Sequence, residues 1–209
     1  MKAVIFDLDG VICFTDKYHY QAWKQLADQQ GIYFDEIINN RLRGVSRMAS
    51  LEIILERSDR AYTQQEKEEF CAYKNGIYRE LLNNMSPADL SDEVRKTLDE
   101  LRRRGYRMAI GSSSRNTRFI LEKIGLDGYF DAISDGTVIT RSKPDPEVFL
   151  KAAEFISLRP EDCLVVEDAL AGIDAAKAGG MLAAGIGDAE HYEKTDYPLK
   201  TFSDLLKIL

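Results

Sequence analysis

Apolar residues along the chain follow two different periods, and the change between them divides the sequence into three stretches. Residues 3–6 form an unbroken apolar run, which is typical of a strand buried on both faces of a parallel sheet. Between residues 15 and 85 the apolar positions recur every three or four residues, which predicts helices. From residue 86 onward, short apolar runs alternate with helical stretches. This alternation predicts parallel strands joined by crossover helices, and therefore an α/β fold with a Rossmann-like core.

The helical stretch predicts four amphipathic helices. The first covers residues 16–30, the second ends at Gly44, the third follows Ser46 as its N-cap, and the fourth begins with the capping-box pair Thr63 and Glu66. Short loops between four helices are typical of a small bundle. We therefore expect a four-helix cap domain inserted into the α/β core.

The expected domain boundaries follow from these patterns. The core domain is predicted to contain residues 1–14 and 86–209, and the cap domain residues 15–85, with hinges near the two junctions. Further core strands are predicted at residues 108–112, 131–134, 163–167 and 182–186. The helices between them are predicted at residues 91–104, 115–124, 146–156 and 171–179, with Pro146 as the first helical residue of its helix and a short terminal helix at residues 201–209.

Composition and charge exclude several classes of partner. The chain has 209 residues, a net charge of −7 and 44% hydrophobic residues, which suits a globular protein with a substantial core. An acidic surface does not attract nucleic acid or an anionic membrane. No apolar run approaches a membrane span, and no signal-peptide pattern precedes the first strand, so we expect a cytoplasmic protein. Cys13, Cys71 and Cys163 lack metal-ligand spacing and are expected to be reduced structural thiols.

Polar side chains follow the predicted strands of the core at the end where a ligand crevice forms in an open α/β sheet. Taken singly, each has an ordinary explanation: a serine after a strand caps a helix, a Lys-Pro pair lies in a solvated loop, and a Glu-Asp pair complements a helix dipole. Their occurrence at one sheet edge favours a shared site instead. The residues are Asp7, Asp9, Ser112, Lys143, Glu167 and Asp168.

The predicted site needs a cation. Its four carboxylates outnumber the single ammonium of Lys143, so it repels a phosphate unless a divalent ion lies among them. Oxygen ligands, with no histidine or cysteine at ligand spacing, favour Mg²⁺ over zinc. The predicted ligands are Asp7, Asp9, Glu167 and Asp168.

The same residues suit phosphoryl transfer. A carboxylate can act as the nucleophile and form an aspartyl-phosphate, and Asp7 is the candidate because it ends a strand and is held rigidly. Asp9 lies further into the turn and is expected to act as general acid and base. Ser112 and Lys143 are expected to hold the oxygens of the transferring phosphoryl group.

These residues resemble the four motifs of the haloacid dehalogenase superfamily. The matching segments are residues 7–11, Ser112, Lys143 with Pro144, and Glu167 with Asp168. The helical insertion resembles the four-helix cap of that superfamily. An aspartate at the position of Asp9 marks its phosphatases and phosphomutases, because a proton must be given to a leaving oxygen.

Within the superfamily the chain is most similar to the β-phosphoglucomutase family. Members interconvert β-D-glucose 1-phosphate and glucose 6-phosphate through glucose 1,6-bisphosphate. The resemblance implies a hexose phosphate substrate, and we expect a monomer. The residues that fall at the substrate and cap-gating positions are Thr15, His19, Trp23, Gly44, Val45, Ser46, Arg47, Ser50 and Lys74.

The loop after the second core strand resembles the phosphate and sugar loop of that family. Ser112 and Ser113 are expected at the transferring phosphate, and Ser114, Arg115 and Asn116 at the distal phosphate and the sugar. Arg115 departs from the pattern, in which lysine is expected.

A mutase must hold a second phosphate while the first one reacts. Arg47 on the cap, facing Arg115 and Asn116 on the core, would provide that second anion site. Taken alone, Arg47 and Lys74 are ordinary solvated charges, His19 is a packed histidine and Trp23 is a core residue. Two rival functions remain open: a sugar-phosphate phosphatase of the same superfamily, and a non-catalytic sugar-phosphate sensor.

Overall fold

The computed structural model describes residues 1–209 and has one six-stranded parallel sheet. The strand order is β3-β2-β1-β4-β5-β6, so the first strand lies between β2 and β4. Strands on opposite sides of β1 are joined by crossovers that run in opposite directions along the sheet, which leaves a crevice at its carboxyl end. The strands are β1 (Ala3–Phe6), β2 (Arg107–Gly111), β3 (Ala132–Ser134), β4 (Cys163–Glu167), β5 (Leu182–Ile186) and β6 (Tyr197–Leu199).

Nine α-helices accompany the sheet, and the first four of them follow β1 directly along the chain. These four are α1 (Asp16–Gln29), α2 (Glu36–Asn40), α3 (Arg47–Leu55) and α4 (Gln64–Leu82). The remaining five are α5 (Asp92–Arg103), α6 (Thr117–Lys123), α7 (Glu147–Phe155), α8 (Leu170–Ala178) and α9 (Leu205–Ile208). The predicted N-cap of α3 and the predicted capping box of α4 are both formed: Ser46 accepts from the amide of Ala49, and Thr63 and Glu66 bond reciprocally.

The structure corrects three details of the predicted elements. Strand β6 is absent from the predicted elements. It contains Pro198, which cannot donate a hydrogen bond to a ladder and is tolerated here at the sheet edge. Pro146 is the N-cap of α7 rather than its first helical residue. Helix α6 begins at Thr117, because residues 112–116 form a loop that turns back on itself through hydrogen bonds.

Hydrophobic clusters cover both faces of the sheet and fill the helical insertion. Val4 and Phe6 point into one cluster and Ala3 and Ile5 into the other, as expected for a strand buried on both faces. A separate cluster lies among the first four helices, with Trp23 at its border. No helix is both long enough and apolar enough to cross a bilayer.

Candidate active site

The carboxyl ends of the three central strands bring the predicted core residues together. Asp7 follows β1, Ser112 follows β2, and Glu167 ends β4, with β1 hydrogen-bonded to both neighbours. Lys143 reaches the same point from the loop before α7. All four side chains are buried. The sheet topology therefore accounts for the convergence of residues that lie far apart in the sequence.

Lys143 connects two of the carboxylates. Its ammonium Nζ lies 2.5 Å from Asp7 Oδ1 and 2.5 Å from Glu167 Oε1. Burial opposes a charge on this ammonium, but the two carboxylates outweigh that effect and raise the pKa of Lys143 above its usual value. The lysine is therefore a fixed positive charge beside Asp7.

The acids of the site are crowded. Burial and the nearby charge of Glu167 raise the pKa of Asp168, and burial raises the pKa of Glu167 although Lys143 opposes that shift. Gly10 has φ +90°, and a β-carbon on it would lie 2.1 Å from Asp168 Oδ2. A side chain at position 10 would fill the space in front of Asp168, so the glycine keeps this carboxylate accessible.

Three of the four predicted metal ligands form a group that fits a divalent cation. Carboxylate oxygens of Asp7, Glu167 and Asp168 all lie within 4.8 Å of one another. Their oxygen-only donor set suits a hard cation, which would relieve the repulsion between the three carboxylates. The side chain of the fourth, Asp9, is not in this group.

Asp9 is held by the first residues of the insertion instead. Thr15, which is fully buried, donates a hydrogen bond from Oγ1 to Asp9 Oδ1. Burial, together with the negative charge of Asp7, raises the pKa of Asp9 to about 6. A carboxyl group with such a pKa can both release and accept a proton near neutral pH, as an acid-base catalyst must.

The loop after β2 folds around its own serines. Ser112 Oγ accepts a hydrogen bond from the amide of Ser114 at 3.1 Å, and Ser114 Oγ accepts one from the amide of Asn116 at 3.2 Å. Ser113 Oγ is buried and has no hydrogen-bond partner. A buried hydroxyl without a partner at a cavity wall is available to a ligand.

In the helical insertion α1–α4, which we call the cap, with the rest of the chain called the core, Lys74 is buried among aromatic rings. Its Nζ lies 2.9 Å from His19 Nδ1, 4.8 Å from the ring centre of Trp23 and 4.4 Å from that of Tyr78. Burial, and the positive charge of Arg47, lower the pKa of Lys74. Burial, and the charge of Lys74, lower the pKa of His19, so the imidazole is neutral and accepts from the lysine.

The loop between α2 and α3 brings the cap against the core. A β-carbon on Gly44, which has φ +74°, would lie 3.4 Å from Cβ of Ala169, the residue after Asp168. Arg43 in the same loop lies 3.0 Å from Asp188 of the core. The cap loop therefore contacts the edge of the sheet where the acids lie.

Arg47 begins α3 and is partly buried. Its Nη2 donates to Asn75 Oδ1 at 2.7 Å, and Asn116 Nδ2 of the core donates to the same oxygen at 2.9 Å. Burial, and the nearby positive charge of Arg115, lower the pKa of Arg47. Neither guanidinium lies within salt-bridge distance of a carboxylate.

One cavity of about 530 Å³ lies between the cap and the core, and every residue predicted for the site lines it. We call the group Asp7, Asp9, Glu167, Asp168 and Lys143 the acidic end, and the group Arg47, Arg115 and Asn116 the basic end. The remaining predicted lining residues are Thr15, His19, Trp23, Gly44, Val45, Ser46, Ser50, Lys74, Ser112, Ser113 and Ser114.

Several residues with a part in the cavity are absent from the predicted set. Arg43 and Tyr78 line it, and the sequence pattern places Tyr78 in the apolar stripe of the fourth helix, four residues after Lys74. Asn75 does not line the cavity, but it contacts Arg47 and Asn116, which do. These residues reach the site through contacts between segments far apart in the chain, and the spacing of apolar residues does not predict such contacts.

Comparison with known proteins places the chain in a family. A family model described as haloacid dehalogenase-like hydrolase matches residues 1–180. A β-phosphoglucomutase of Bacillus subtilis is 42% identical over 207 residues, which is 98% of this chain and 92% of that protein. A fructose-1-phosphate phosphatase of Escherichia coli is 32% identical over 187 residues, 88% of this chain and 95% of that protein.

Among solved structures, a crystal structure of β-phosphoglucomutase from Clostridium difficile superimposes with a TM-score of 0.92 at 35% identity, covering 98% of this chain and 93% of that one. The fold, the strand-end acids and the match over nearly the whole length agree. The chain belongs to the haloacid dehalogenase-like hydrolase family and, within it, to the β-phosphoglucomutase group.

Proposed function

We propose that this protein interconverts β-D-glucose 1-phosphate and glucose 6-phosphate. The observation that carries the proposal is that one cavity is lined by two groups with phosphate-binding chemistry. Asp7, Ser112 and Lys143 belong to one group, and Arg47, Arg115 and Asn116 to the other. A phosphatase needs only one phosphate site, whereas a mutase must hold a second phosphate while the first is transferred.

Asp7 is the proposed nucleophile. Its carboxylate attacks the phosphorus of the bisphosphate, the bond to the sugar oxygen breaks, and an aspartyl-phosphate forms. Lys143, 2.5 Å from Asp7, and the hydroxyls of Ser112 and Ser113 would stabilise the charge on the transferring phosphoryl oxygens. In the other direction, phosphorylated Asp7 donates its phosphoryl group to a free hydroxyl of the hexose monophosphate.

Asp9 is the proposed general acid and base. It takes the proton of the attacking sugar hydroxyl when the bisphosphate forms, and it returns a proton to the leaving sugar oxygen when Asp7 is rephosphorylated. Between the two transfers the bisphosphate reorients, so that each phosphate in turn occupies the acidic end. Thr15 positions the Asp9 carboxyl group through its hydrogen bond.

Mg²⁺ is the proposed metal, and Asp7, Glu167 and Asp168 are its proposed protein ligands. When bound, it would neutralise negative charge at the transferring phosphoryl group. Chelation is expected to abolish turnover, and added Mg²⁺ to restore it. Zn²⁺ restoring activity better than Mg²⁺ would contradict the choice of metal.

The cap would protect the aspartyl-phosphate from water. Gly44 and its neighbours Val45, Ser46 and Ser50 contribute to the roof of the cavity, and the His19–Lys74 pair and Trp23 form the wall next to Thr15. Closure of the cap over the sugar would exclude water and keep Asp9 in place. The division into a cap of residues 15–85 and a core of residues 1–14 and 86–209 belongs to this proposal, as do a cytoplasmic location and a monomeric state.

A coupled assay tests the proposal. Purified protein with Mg²⁺ and a trace of glucose 1,6-bisphosphate is given β-glucose 1-phosphate, and glucose 6-phosphate and inorganic phosphate are measured together. We expect isomerisation to exceed phosphate release by far, and the α anomer to react more slowly. Phosphate release that outpaces isomerisation would favour a sugar-phosphate phosphatase, the alternative supported by the similarity to the E. coli phosphatase. Binding without turnover would favour a sensor.

A further inference from the structure

Asn75 bridges the two sides of the basic end through its side-chain amide. Its side-chain oxygen Oδ1 accepts one hydrogen bond from Arg47 Nη2 of the cap at 2.7 Å and another from Asn116 Nδ2 of the core at 2.9 Å. An amide oxygen has two lone pairs, so this acceptor is fully used. Asn75 itself lies on α4, the longest helix of the insertion.

The two bonds leave both donors free for a ligand. A guanidinium has five N–H groups and Arg47 spends one of them on Asn75, while Asn116 spends one of the two hydrogens of its amide. The hydrogen bonds therefore fix the orientation of the two side chains without occupying their capacity to bind an anion. An acceptor that used all the N–H groups of Arg47 and Asn116 would instead have to leave both side chains before a phosphate could bind.

The location of Asn75 gives this orientation a further consequence. Arg47 begins α3 and Asn116 precedes α6, so one donor comes from the helical insertion and the other from the sheet-containing part of the chain. Asn116 is buried, and Arg47 lies close enough to the charge of Arg115 for the pKa of Arg47 to be lowered by it. By binding both Arg47 and Asn116, the residue after Arg115, Asn75 holds Arg47 in place against the repulsion between the two guanidinium groups.

We propose that Asn75 is a positioning residue for the distal phosphate: it holds Arg47 of the cap and Asn116 of the core in one arrangement, so that both contact the phosphate that is not being transferred. This inference rests on the proposed function. It assigns to Asn75 an effect on the affinity for substrates that present a second phosphate or that reorient in the cavity. Asn75 does not itself touch the reacting atoms.

The test compares Asn75→Ala with Gly76→Ala. Gly76 is the next residue on α4, is exposed, and has nothing within 4 Å of an added β-carbon, so it controls for substitution in this turn of the helix. We expect Asn75→Ala to raise KM for β-glucose 1-phosphate by about tenfold, the effect of losing one well-formed hydrogen-bond network, with a smaller change in kcat. Gly76→Ala is expected to have the KM of the parent protein.

A substrate without a second anionic site separates positioning from general damage. Hydrolysis of p-nitrophenyl phosphate uses only the acidic end, so Asn75→Ala is expected to hydrolyse it at the parent rate, which also shows that the variant is folded. In the Asn75→Ala, Asn116→Ala double variant, the rise in KM is expected to be smaller than the product of the two single effects, because the two residues act together.

The outcomes are distinguishable. A parent-like KM for Asn75→Ala, or a lower KM, would overturn the positioning role, and so would an equal loss on p-nitrophenyl phosphate. A parent protein that releases phosphate from β-glucose 1-phosphate without isomerising it would overturn the proposed function instead, and this is observed before any variant is made.

Discussion

The two ends of the cavity are built in opposite ways. At the acidic end, side chains are fixed by the strands that precede them and by Lys143, which contacts two carboxylates at 2.5 Å. At the basic end, Arg47 and Asn116 come from different parts of the molecule and are held by the shared contact with Asn75. The acidic end is a rigid part of the sheet, whereas the basic end exists only while cap and core are together.

This difference matches the two tasks of a mutase. The reacting phosphoryl group needs a nucleophile and a proton donor held within a few tenths of an ångström, which a sheet edge supplies. The distal phosphate has to be released and rebound whenever the sugar turns over. A binding site divided between two parts that can separate permits this exchange, while a site on one rigid element would oppose it.

Asp9→Asn should give the largest effect, because it removes the proton transfer at the acidic end and leaves the shape intact. We expect kcat to fall by about 10³-fold, within the usual range for a general acid-base residue, and the free energy of unfolding to change by no more than about 1 kcal/mol. The coupled assay and urea denaturation measure the two quantities. Substantial mutase activity in this variant would remove Asp9 from the proposed role.

Arg47→Lys should give the next largest effect, at the basic end. Lysine keeps the charge but loses the planar fork that contacts Asn75 and leaves further N–H groups for a phosphate. We expect KM for β-glucose 1-phosphate to rise about 10- to 100-fold, since a charge-assisted hydrogen bond contributes about 1.5–3 kcal/mol.

The matched control for that variant is Arg41→Lys. Arg41 lies on the outer surface of the cap, where it pairs with Glu56 at 2.8 Å, and its side chain is 46% exposed. It should leave KM unchanged. An equal rise in KM for the two variants would show that the effect comes from the cap as a whole and not from the basic end.

The same contrast explains how much the sequence could predict. The acidic end follows from local rules: apolar runs locate the strands, and parallel strands put Asp7, Ser112 and Glu167 at one edge. The family resemblance then supplied Arg47 and Lys74. Asn75 could not be found in this way, because its partners lie 28 and 41 residues away and depend on how the cap meets the core.

The position of Asp9 shows a second limit. The set of four carboxylates predicts Asp9 as a metal ligand; in the structure the Asp9 side chain accepts a hydrogen bond from Thr15, and Asp9 is not among the three acids whose oxygens lie within 4.8 Å of one another. Leu8 separates the two aspartates, and Gly10, with φ +90°, turns the chain directly after Asp9. The direction of the Asp9 side chain beside this turn is set by the partner it finds, which pattern and spacing do not specify.

The histidine beside the cavity should make stability depend on pH. Burial, Lys74 and Arg47 hold the pKa of His19 well below its usual 6.5, so the folded protein keeps it neutral while the unfolded chain takes up a proton below pH 6.5. Stability contributed by neutral His19 is therefore present above pH 6.5 and is lost as pH falls, by at most about 1.4 kcal/mol per pH unit.

Urea denaturation between pH 7.5 and 5.5 checks this slope. His19→Gln should reduce the loss of stability on acidification, whereas His191→Gln, at the other histidine, should not, because the His191 side chain is 85% exposed. Identical slopes in the parent protein and in His19→Gln would show that His19 is not held neutral by its surroundings.

The smallest effect is expected at Tyr78, which lines the cavity and has a buried hydroxyl without a hydrogen-bond partner. Its ring packs on His19, with 4.1 Å between the ring centres, so Tyr78→Phe keeps the packing and removes only the unpaired oxygen. An unpaired buried polar group is itself unfavourable, and the free energy of unfolding should stay the same or rise by about 1 kcal/mol.

Tyr192→Phe is the matched control, because the Tyr192 hydroxyl donates to Asp174 at 3.0 Å and its removal should cost about 1 kcal/mol. A loss of stability in Tyr78→Phe as large as in the control would mean that the Tyr78 hydroxyl has a partner in solution. An unchanged free energy of unfolding would mean that the fold does not need this oxygen. Any effect of the variant on turnover would then arise in the cavity.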